Sequence, residues 1–448
     1  MKPRLRALLA LAVLAALSNA AAAQPAPTGR PNILLILADD LGYGDLGCYG
    51  HPVIKTPRLD RLAKEGVRFT DCYAAMPVCS PSRAALLTGR NPHRLGIHDW
   101  IPAGSGIFLK TEETTLAELL RDAGYRTAFS GKYHLNSRFN GREPTPGDHG
   151  FDHWLATQNN ANPSHENLTN FVRNRQRVGP VQGNSSKVIV DEALSFLDAS
   201  PAEKPFFVCV WFHATHEPVD APAEYEARYA QVEDPSKREY YGCVEYMDAQ
   251  IGRLLDALDE RKLADNTLVF FTSDNGPETL GRYKNGFRSH GSPGNLRGMK
   301  LHVYEGGIRV PGIARLPGKI KRSTECREPV CAIDFFPTAV ELSGAKLPPD
   351  LKLDGTSLLP LLRGEAIARR APLYWQYDQA IGGPMRFALR DGAWKLLADA
   401  SQTKFELYNL SDDPGEKQDL SSTQPERIKQ MFQQMRRTHA EVNADRNL

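Results

Sequence analysis

Cys79 opens the run Cys79-Ser80-Pro81-Ser82-Arg83, which continues to Thr88-Gly89-Arg90. Ser80 is a suitable N-cap, Pro81 suits the first helical position, and Gly89 can close the helix. The run therefore predicts a thiol just ahead of a helix N-terminus, with the cation Arg83 on the first turn. Free amide N–H groups and the positive end of the helix dipole make that spot an anion site. Asp39-Asp40 and Asp274-Asn275 are hard oxygen donors that end two apolar runs. Such a set suits Ca²⁺ or Mg²⁺ and is poor for zinc, which prefers nitrogen and sulfur. One Asp pair ending a strand is more often a cap or turn; two such sets beside a nucleophile point to a metal site.

Lys132 and His134 are two residues apart, so on an extended segment they face one side. The lysine can hold an anion, and the histidine can move protons near neutral pH. His216 follows another apolar run, with Pro218 shaping the turn. His213, in the same segment, reads as a packing residue. Lys300 precedes His302-Val303-Tyr304-Glu305-Gly306-Gly307, whose glycine pair predicts a tight backbone passage. Alone, each of these would pass as an ordinary surface or core residue.

The elements that must position them are short continuous apolar runs: Ile33–Ala38, Arg126–Ser130, Phe206–Phe212 and Leu268–Thr272. Each leads into one of the polar clusters, and such runs fit strands covered on both faces of a largely parallel sheet. Helical patterns at Thr56–Glu65, Thr115–Ala123, Lys187–Ala199 and Tyr240–Glu260 alternate with them. The expectation is an α/β fold, a large mixed and mostly parallel sheet flanked by helices, with ligands at the carboxyl ends of the strands. From about residue 361 to 448 the pattern changes. Strands at Pro372–Tyr377, Met385–Arg390, Trp394–Leu397 and Phe405–Leu410, then a helix at Gln424–Ala440, predict a smaller antiparallel sheet plus helix. Residues 24–360 form the expected catalytic domain, with loop-rich stretches at 136–184 and 276–299 long enough to carry function.

The chain has 448 residues and a formal charge of +2. Lys2, Arg4 and Arg6 supply three of those charges, leaving −1 without them, so no electrostatic case for nucleic acid survives. The basic start, the apolar stretch Ala7–Leu17 and the run Ala20–Ala23 read as a signal peptide over 1–23. The expectation is export, periplasmic or secreted and bacterial in type, with no membrane span after its removal. Of the seven cysteines, six remain if Cys79 is chemically committed, and Cys326 with Cys331 is the nearest pair in sequence. Export would permit them to bridge, and buried free thiols are an equal alternative.

The ordered pieces Asn32–Asp45, Cys79–Arg90, Gly131–Leu135, His213–Pro218, Thr272–Gly276 and Gly298–Pro311 resemble type I sulfatases of the alkaline-phosphatase superfamily. Leu407–Leu410 and Asp412–Glu416 resemble that family's C-terminal subdomain. The resemblance implies that Cys79 is converted to formylglycine by a formylglycine-generating enzyme, and that Asp39, Asp40, Asp274 and Asn275 hold Ca²⁺ together with the modified Cys79. It implies that Arg83, Lys132, His134, His216 and Lys300 surround the sulfate. Tyr133 and Tyr304 stand where many relatives carry Trp, and His213-Ala214-Thr215-His216 lacks a frequent Pro.

The implied activity is a sulfuric ester hydrolase acting on a sulfated carbohydrate, of glycosaminoglycan or algal galactan type. The hydrated aldehyde would attack sulfur; His216, with or without Lys300, would protonate the leaving oxygen, and His134 would help expel sulfate, or the two histidines could exchange roles. A phosphodiesterase or phosphonate monoester hydrolase of the same superfamily is the alternative, followed by a non-catalytic sulfated-glycan binder and a thiolate hydrolase. Arg94, His98, Asn160, His165 and Arg282 are candidates to read the sugar, with Trp100, Asn159, Asn167, Arg288 and Trp375 beside them.

Overall fold

The computed structural model describes residues 29–200, 203–278 and 289–444. The expected signal peptide and the sugar candidates Arg282 and Arg288 lie outside these residues. Ten strands build one sheet: β1 (Asn32–Ala38), β2 (Val67–Phe69), β3 (Arg126–Lys132), β4 (His153–Thr157), β5 (Val172–Arg173), β6 (Gln176–Arg177), β7 (Phe206–Trp211), β8 (Thr267–Ser273), β9 (Gly312–Arg315) and β10 (Thr324–Cys326). Their order is β10-β2-β9-β8-β1-β7-β3-β4-β5-β6. The centre is parallel, β1 pairing with both β7 and β8, and β3 with β7 and β4. The fold is therefore the expected α/β sheet.

Alternation along β1 shows why its run is apolar throughout. Ile33, Leu35 and Leu37 enter a core shared with α2 (Cys79–Thr88), α3 (Leu116–Asp122) and α6 (Phe335–Ser343). Leu34, Ile36 and Ala38 enter the opposite core with α1 (Pro57–Glu65), α4 (Ser185–Asp198) and α5 (Pro235–Glu260). A strand covered on both faces has no solvent side, so nothing favours a polar residue until it ends. Gly131 lets β3 reach its neighbour: a Cβ there would lie 1.8 Å from the Trp211 carbonyl oxygen, at φ +121.

The smaller antiparallel sheet runs β11 (Leu373–Gln376), β12 (Met385–Asp391), β13 (Trp394–Asp399) and β14 (Phe405–Asn409). One face buries Leu389, Leu396 and Leu407 under Met431, Met435 and Val442 of α7 (Pro425–Ala444). The other packs Trp375, Ala388, Leu397 and Tyr408 against Tyr73, Val78, Cys79 and Ile308. The small sheet thus backs the segment that carries Cys79. Among the described residues no helix is long and apolar enough to cross a membrane.

Four expectations are corrected. Helix α2 begins at Cys79 with Val78 as N-cap, because the Ser80 hydroxyl accepts the Ile101 N–H at 3.0 Å instead of capping its own helix. Helix α5 begins five residues before Tyr240, where Asp234 accepts the Ser236 N–H and Pro235 takes the first turn. The stretch 136–184 is not all loop, since β4 and the β5–β6 hairpin extend the large sheet through it. All seven cysteines are free thiols. Cys326 is held in the large sheet against β2 and Cys331 in a separate two-residue ladder with Tyr73, so the nearest pair in sequence is not bridged.

Candidate active site

The central strands end side by side, and their polar successors converge. The ladder continues beyond β1: Asp39 N–H donates to Ala214 O at 2.9 Å, and Asp274 N–H to Ala38 O at 3.1 Å. Asp40 turns into the left-handed region at φ 59, as does His134 at φ 54. Such conformations in residues other than glycine are costly and gather at functional sites. The turn at Asp40 lets its N–H donate to Asp274 Oδ1 at 3.1 Å, while Asn275 Nδ2 donates to Asp40 Oδ1 at 2.7 Å.

Ligand-type atoms of Asp39, Cys79 and Asp274 lie within 4.8 Å of one another, all buried. The Arg83 Nε donates to Asp274 Oδ2 at 2.8 Å, its Nη2 lies 3.3 Å from Asp39 Oδ1, and Nη1 donates to Lys132 O at 2.6 Å. Trp211 lies under the guanidinium at 5.5 Å. Lys132 Nζ donates to Asp39 Oδ2 at 2.6 Å and to Asn160 Oδ1 at 3.0 Å. Lys300 Nζ donates to Asp40 Oδ2 at 2.7 Å, with His216 Nε2 at 3.6 Å from the same oxygen. All ten residues predicted to form the metal site and the sulfate cage therefore lie on this one network or at its edge.

Electrostatics assign protonation. Burial raises the Asp39 carboxyl, but Lys132 and Arg83 outweigh it and hold it well below the usual carboxylate range. At Asp274 burial wins, and with Asp39 and Asp40 close by its pKa rises to about 7 despite Arg83. Burial also raises the Cys79 thiol in spite of Lys132 and Lys300, so it is no ready thiolate. Burial, then Lys132 and Lys300, push His216 down to about 4, and burial with Lys132 and Arg83 holds His134 well below its ordinary value. Both rings are neutral at pH 7. His134 Nε2 and His216 Nδ1 face the carbonyl oxygens of Ile101 and Glu217, at 3.1 Å and 2.6 Å, and so carry the protons. His134 Nδ1 is left buried and without a partner.

The donor set can be tested for a hard cation. Asn275 Oδ1 is buried with no hydrogen-bond partner, among three carboxylates. An orphaned amide oxygen at such a place costs free energy unless something positive meets it. Oxygen-only donors fit Ca²⁺; the soft sulfur of Cys79 is the one misfit, and an oxygen there would remove it.

Other predicted residues lie elsewhere. Arg94 is spent on a fork to Asp354 at 2.9 Å and on Glu441 of α7 at 3.0 Å, so its sugar role is withdrawn. His165 is buried beneath the site, bonding the His216 carbonyl at 3.0 Å, and supports that loop rather than facing a sugar. Trp375 is buried with Nε1 donating to Ala74 O at 2.8 Å. Asn167 accepts the Gly183 N–H at 2.8 Å and shapes its own loop. His98 lies tilted against His93 with ring centres 4.8 Å apart, Trp100 is exposed, and Asn160 touches Lys132. His213 packs as predicted, against Phe171 and with Nε2 2.7 Å from the Thr157 hydroxyl. Sequence reasoning missed Thr215, which ties the Asp39 and Asp40 carbonyls to Tyr240, and the distance in sequence gives no signal for it.

A mostly parallel sheet that gathers a helix-terminal cysteine, hard oxygen donors and three cations at one end suits the binding of anionic esters. The chain belongs to the sulfatase family: the Sulfatase model matches residues 31–345, and the model for the N-sulphoglucosamine sulphohydrolase C-terminal region matches 299–445. Human arylsulfatase A is 36% identical over 486 residues, covering 96% of this chain and 91% of that protein. Dog N-acetylgalactosamine-6-sulfatase is 36% identical over 393 residues, covering 82% and 72%. The crystal structure of Ps i-CgsB in complex with k-i-k-neocarrahexaose superposes with a TM-score of 0.82 at 31% identity, covering 93% of each chain. The protein is a sulfuric ester hydrolase.

Proposed function

We propose that the substrate is a sulfated carbohydrate and that sulfate is removed with formylglycine made from Cys79 and Ca²⁺ held by Asp39, Asp40, Asp274, Asn275 and the modified residue 79. The observation that carries this reading is the partnerless Asn275 Oδ1 in a buried, oxygen-rich set whose one soft atom is the Cys79 sulfur. The sugar follows the relatives, one named for N-acetylgalactosamine and one crystallised with a carrageenan-type hexaose. The leader sequence supports export, to the periplasm or outside, and maturation requires a formylglycine-generating enzyme.

Held by Asp39, Asp40, Asp274, Asn275 and the modified residue 79, a Ca²⁺ ion would acidify a hydroxyl of the aldehyde hydrate at that residue and so supply the nucleophile. The chain's own residues do the rest. Lys132 and Lys300, which rest on Asp39 and Asp40, would turn to the sulfate oxygens with a cation on those carboxylates. Arg83 stays locked to Asp274 and fixes the frame around them. His134 offers Nδ1 as a proton acceptor. His216 offers Nε2, and an anionic substrate beside it raises its proton affinity, the direction that protonating the leaving oxygen requires. The net reaction exchanges the ester's S–O bond for one from water, giving an alcohol and sulfate.

The test is sulfate release from aryl and sugar sulfates, measured beside phosphate release from the matching phosphate esters. Mass spectrometry of the peptide containing residue 79 supplies the independent check. Aldehyde in that peptide and a strong preference for sulfate are expected; an intact thiol in active enzyme, or preference for phosphate, refutes the reading.

A further inference from the structure

A cavity of about 580 Å³ opens beside the site, lined by Arg138, Arg177, Gln158, Asn159, Asn160 and Asn170, with Phe139 on one wall and Pro218 on another. It joins the catalytic network directly, since Asn160 Oδ1 takes the Lys132 ammonium at 3.0 Å and Pro218 follows His216 by two residues. No acidic residue lines it among the described residues, and neither arginine forms an ion pair there. On the same hairpin Arg173 is paired with Glu192 at 2.7 Å and Arg175 with Asp148 at 2.5 Å. Arg177, two residues further on, is left to the cavity.

The presentation of both arginines is built into the fold. Glu143 accepts the N–H groups of Ser137 and Arg138 at 2.6 and 3.0 Å and so fixes the turn that carries Arg138. Its guanidinium lies over Gly104, where a Cβ would come within 2.1 Å of Nη2, at φ +80. Arg177 is set by the β5–β6 register, opposite Val172. The floor is amide. Asn170 Nδ2 donates to Asn160 O at 2.8 Å, while the Oδ1 atoms of Asn159 and Asn170 have no partner. Amide oxygens suit sugar hydroxyls, and a planar guanidinium suits a sulfate or carboxylate.

We propose that this cavity is a subsite for a second anionic group, which Arg138 and Arg177 read on the sugar that carries the scissile sulfate or on its neighbour. The enzyme then prefers polyanionic glycans to singly sulfated ones. This inference rests on the sulfatase reading above and narrows it.

The experiment compares oligosaccharides with the same scissile sulfate and no second charge, a second sulfate, or a carboxylate, on wild type, Arg138→Ala, Arg177→Ala and the double variant. In wild type, kcat/KM for the doubly charged substrates should exceed that for the singly charged one. In the double variant that ratio should fall by about tenfold or more, chiefly through KM, with partial recovery in the Lys variants. The sulfate and carboxylate arms identify which anion is read. A ratio unchanged in the double variant overturns the proposal, as does an equal loss on all three substrates. Calorimetric titration of the same sugars into the Cys79→Ala protein separates the two readings. Arginine-dependent preference for the polyanion without any sulfate release by wild type would remove the enzyme reading and keep the subsite. Sulfate release with arginine-independent binding would keep the enzyme and remove the subsite.

Discussion

At the carboxyl end of the sheet, Asp39, Asp40 and Asp274 meet Arg83, Lys132 and Lys300; beneath the small sheet, Asp71, Glu305 and Glu416 meet Arg309, Arg390 and Lys395. Both clusters hold three acids and three bases, and both are buried. The second is closed on itself. Lys395 lies 2.8 Å from Glu305 and 2.9 Å from Glu416, Arg309 is 3.0 Å from Asp71, and Arg390 bridges Asp71 and the Tyr73 hydroxyl. The first contains, besides its ion pairs, a protonated thiol, an amide oxygen without a partner and two neutral histidines. Buried charge therefore does not by itself mark chemistry. What separates the first cluster is the set of uncharged groups gathered with its ion pairs, a thiol, an amide and two imidazoles.

The sharpest way to break this contrast is to remove the proposed nucleophile. Cys79→Ala should lower sulfate release by roughly a thousandfold or more, while thermal unfolding changes little, because the side chain removed is small and makes no ion pair. Sulfate release at the wild-type rate would show that Cys79 is not the nucleophile. In the closed cluster the pattern should invert. Lys395→Met strands Glu305 and Glu416 with less compensation in a dry site, and should cost about 3–5 kcal/mol of stability. Folded Lys395→Met protein, assayed well below its own Tm, should keep a KM close to that of wild type. A denaturation midpoint equal to wild type would mean that the cluster is not what fastens the small sheet.

How much of this was legible depends on how local the cause is. Asp39-Asp40 and Asp274-Asn275 stand out because two-sided burial makes β1 apolar to its last residue and the centre of β8 apolar from Leu268 to Phe271, so the charged group that follows each marks the sheet's edge. The Cys79 helix is legible because its signals are local, Pro81 in its first turn and Gly89 at its end, although Val78 and not Ser80 is the N-cap. Arg94 read as a free loop cation because its partner Glu441 is 347 residues away. Trp375 read as a sugar platform because strand alternation does not say which face of the small sheet is covered. The closed cluster was invisible: Asp71, Glu305, Arg390 and Glu416 share no period and meet only when the small sheet docks. Arg138 and Arg177 carry no spacing signal either, and only their meeting at one cavity without acids in three dimensions sets them apart.

Ion binding sharpens the contrast from the other side. Ca²⁺ should bind the catalytic cluster of the native state alone, raising stability by about 2.7 kcal/mol at a hundred times its dissociation constant, and chelation should reverse the gain. Differential scanning calorimetry with and without Ca²⁺ measures it. Asn275→Leu keeps the size and removes the orphan oxygen, and should abolish most of the Ca²⁺-dependent shift. A shift of undiminished size in Asn275→Leu would place the ion elsewhere.

The closed cluster should respond to pH rather than to metal. Burial raises the Glu416 pKa to about 7 against the pull of Lys395, whereas Lys395 and Arg309 overcome burial at Glu305 and hold it at about 2. Between the ordinary value of 4.5 and about 7, folded Glu416 keeps a proton that the unfolded chain has lost, so stability falls as pH rises through that window. Between 4.5 and about 2 the unfolded chain binds the proton that folded Glu305 refuses, so stability falls as pH drops. The cluster's contribution should therefore peak near pH 4.5 and decline on both sides, the neutral limb amounting to at most about 3 kcal/mol. Glu416→Gln retains an acceptor for the Glu305 N–H, now 2.7 Å from Glu416 Oε2, and cannot ionise. Denaturant titrations of wild type and Glu416→Gln from pH 3 to 8, with chelator present to silence the metal site, should show a shallower neutral limb in the variant, the remainder being the share of Asp45, Asp248 and Asp274, and the acid limb intact. A limb of equal slope in both proteins would assign the titration to another buried acid, of which Asp45 and Asp248, each raised by burial to about 7, are the first to replace by Asn.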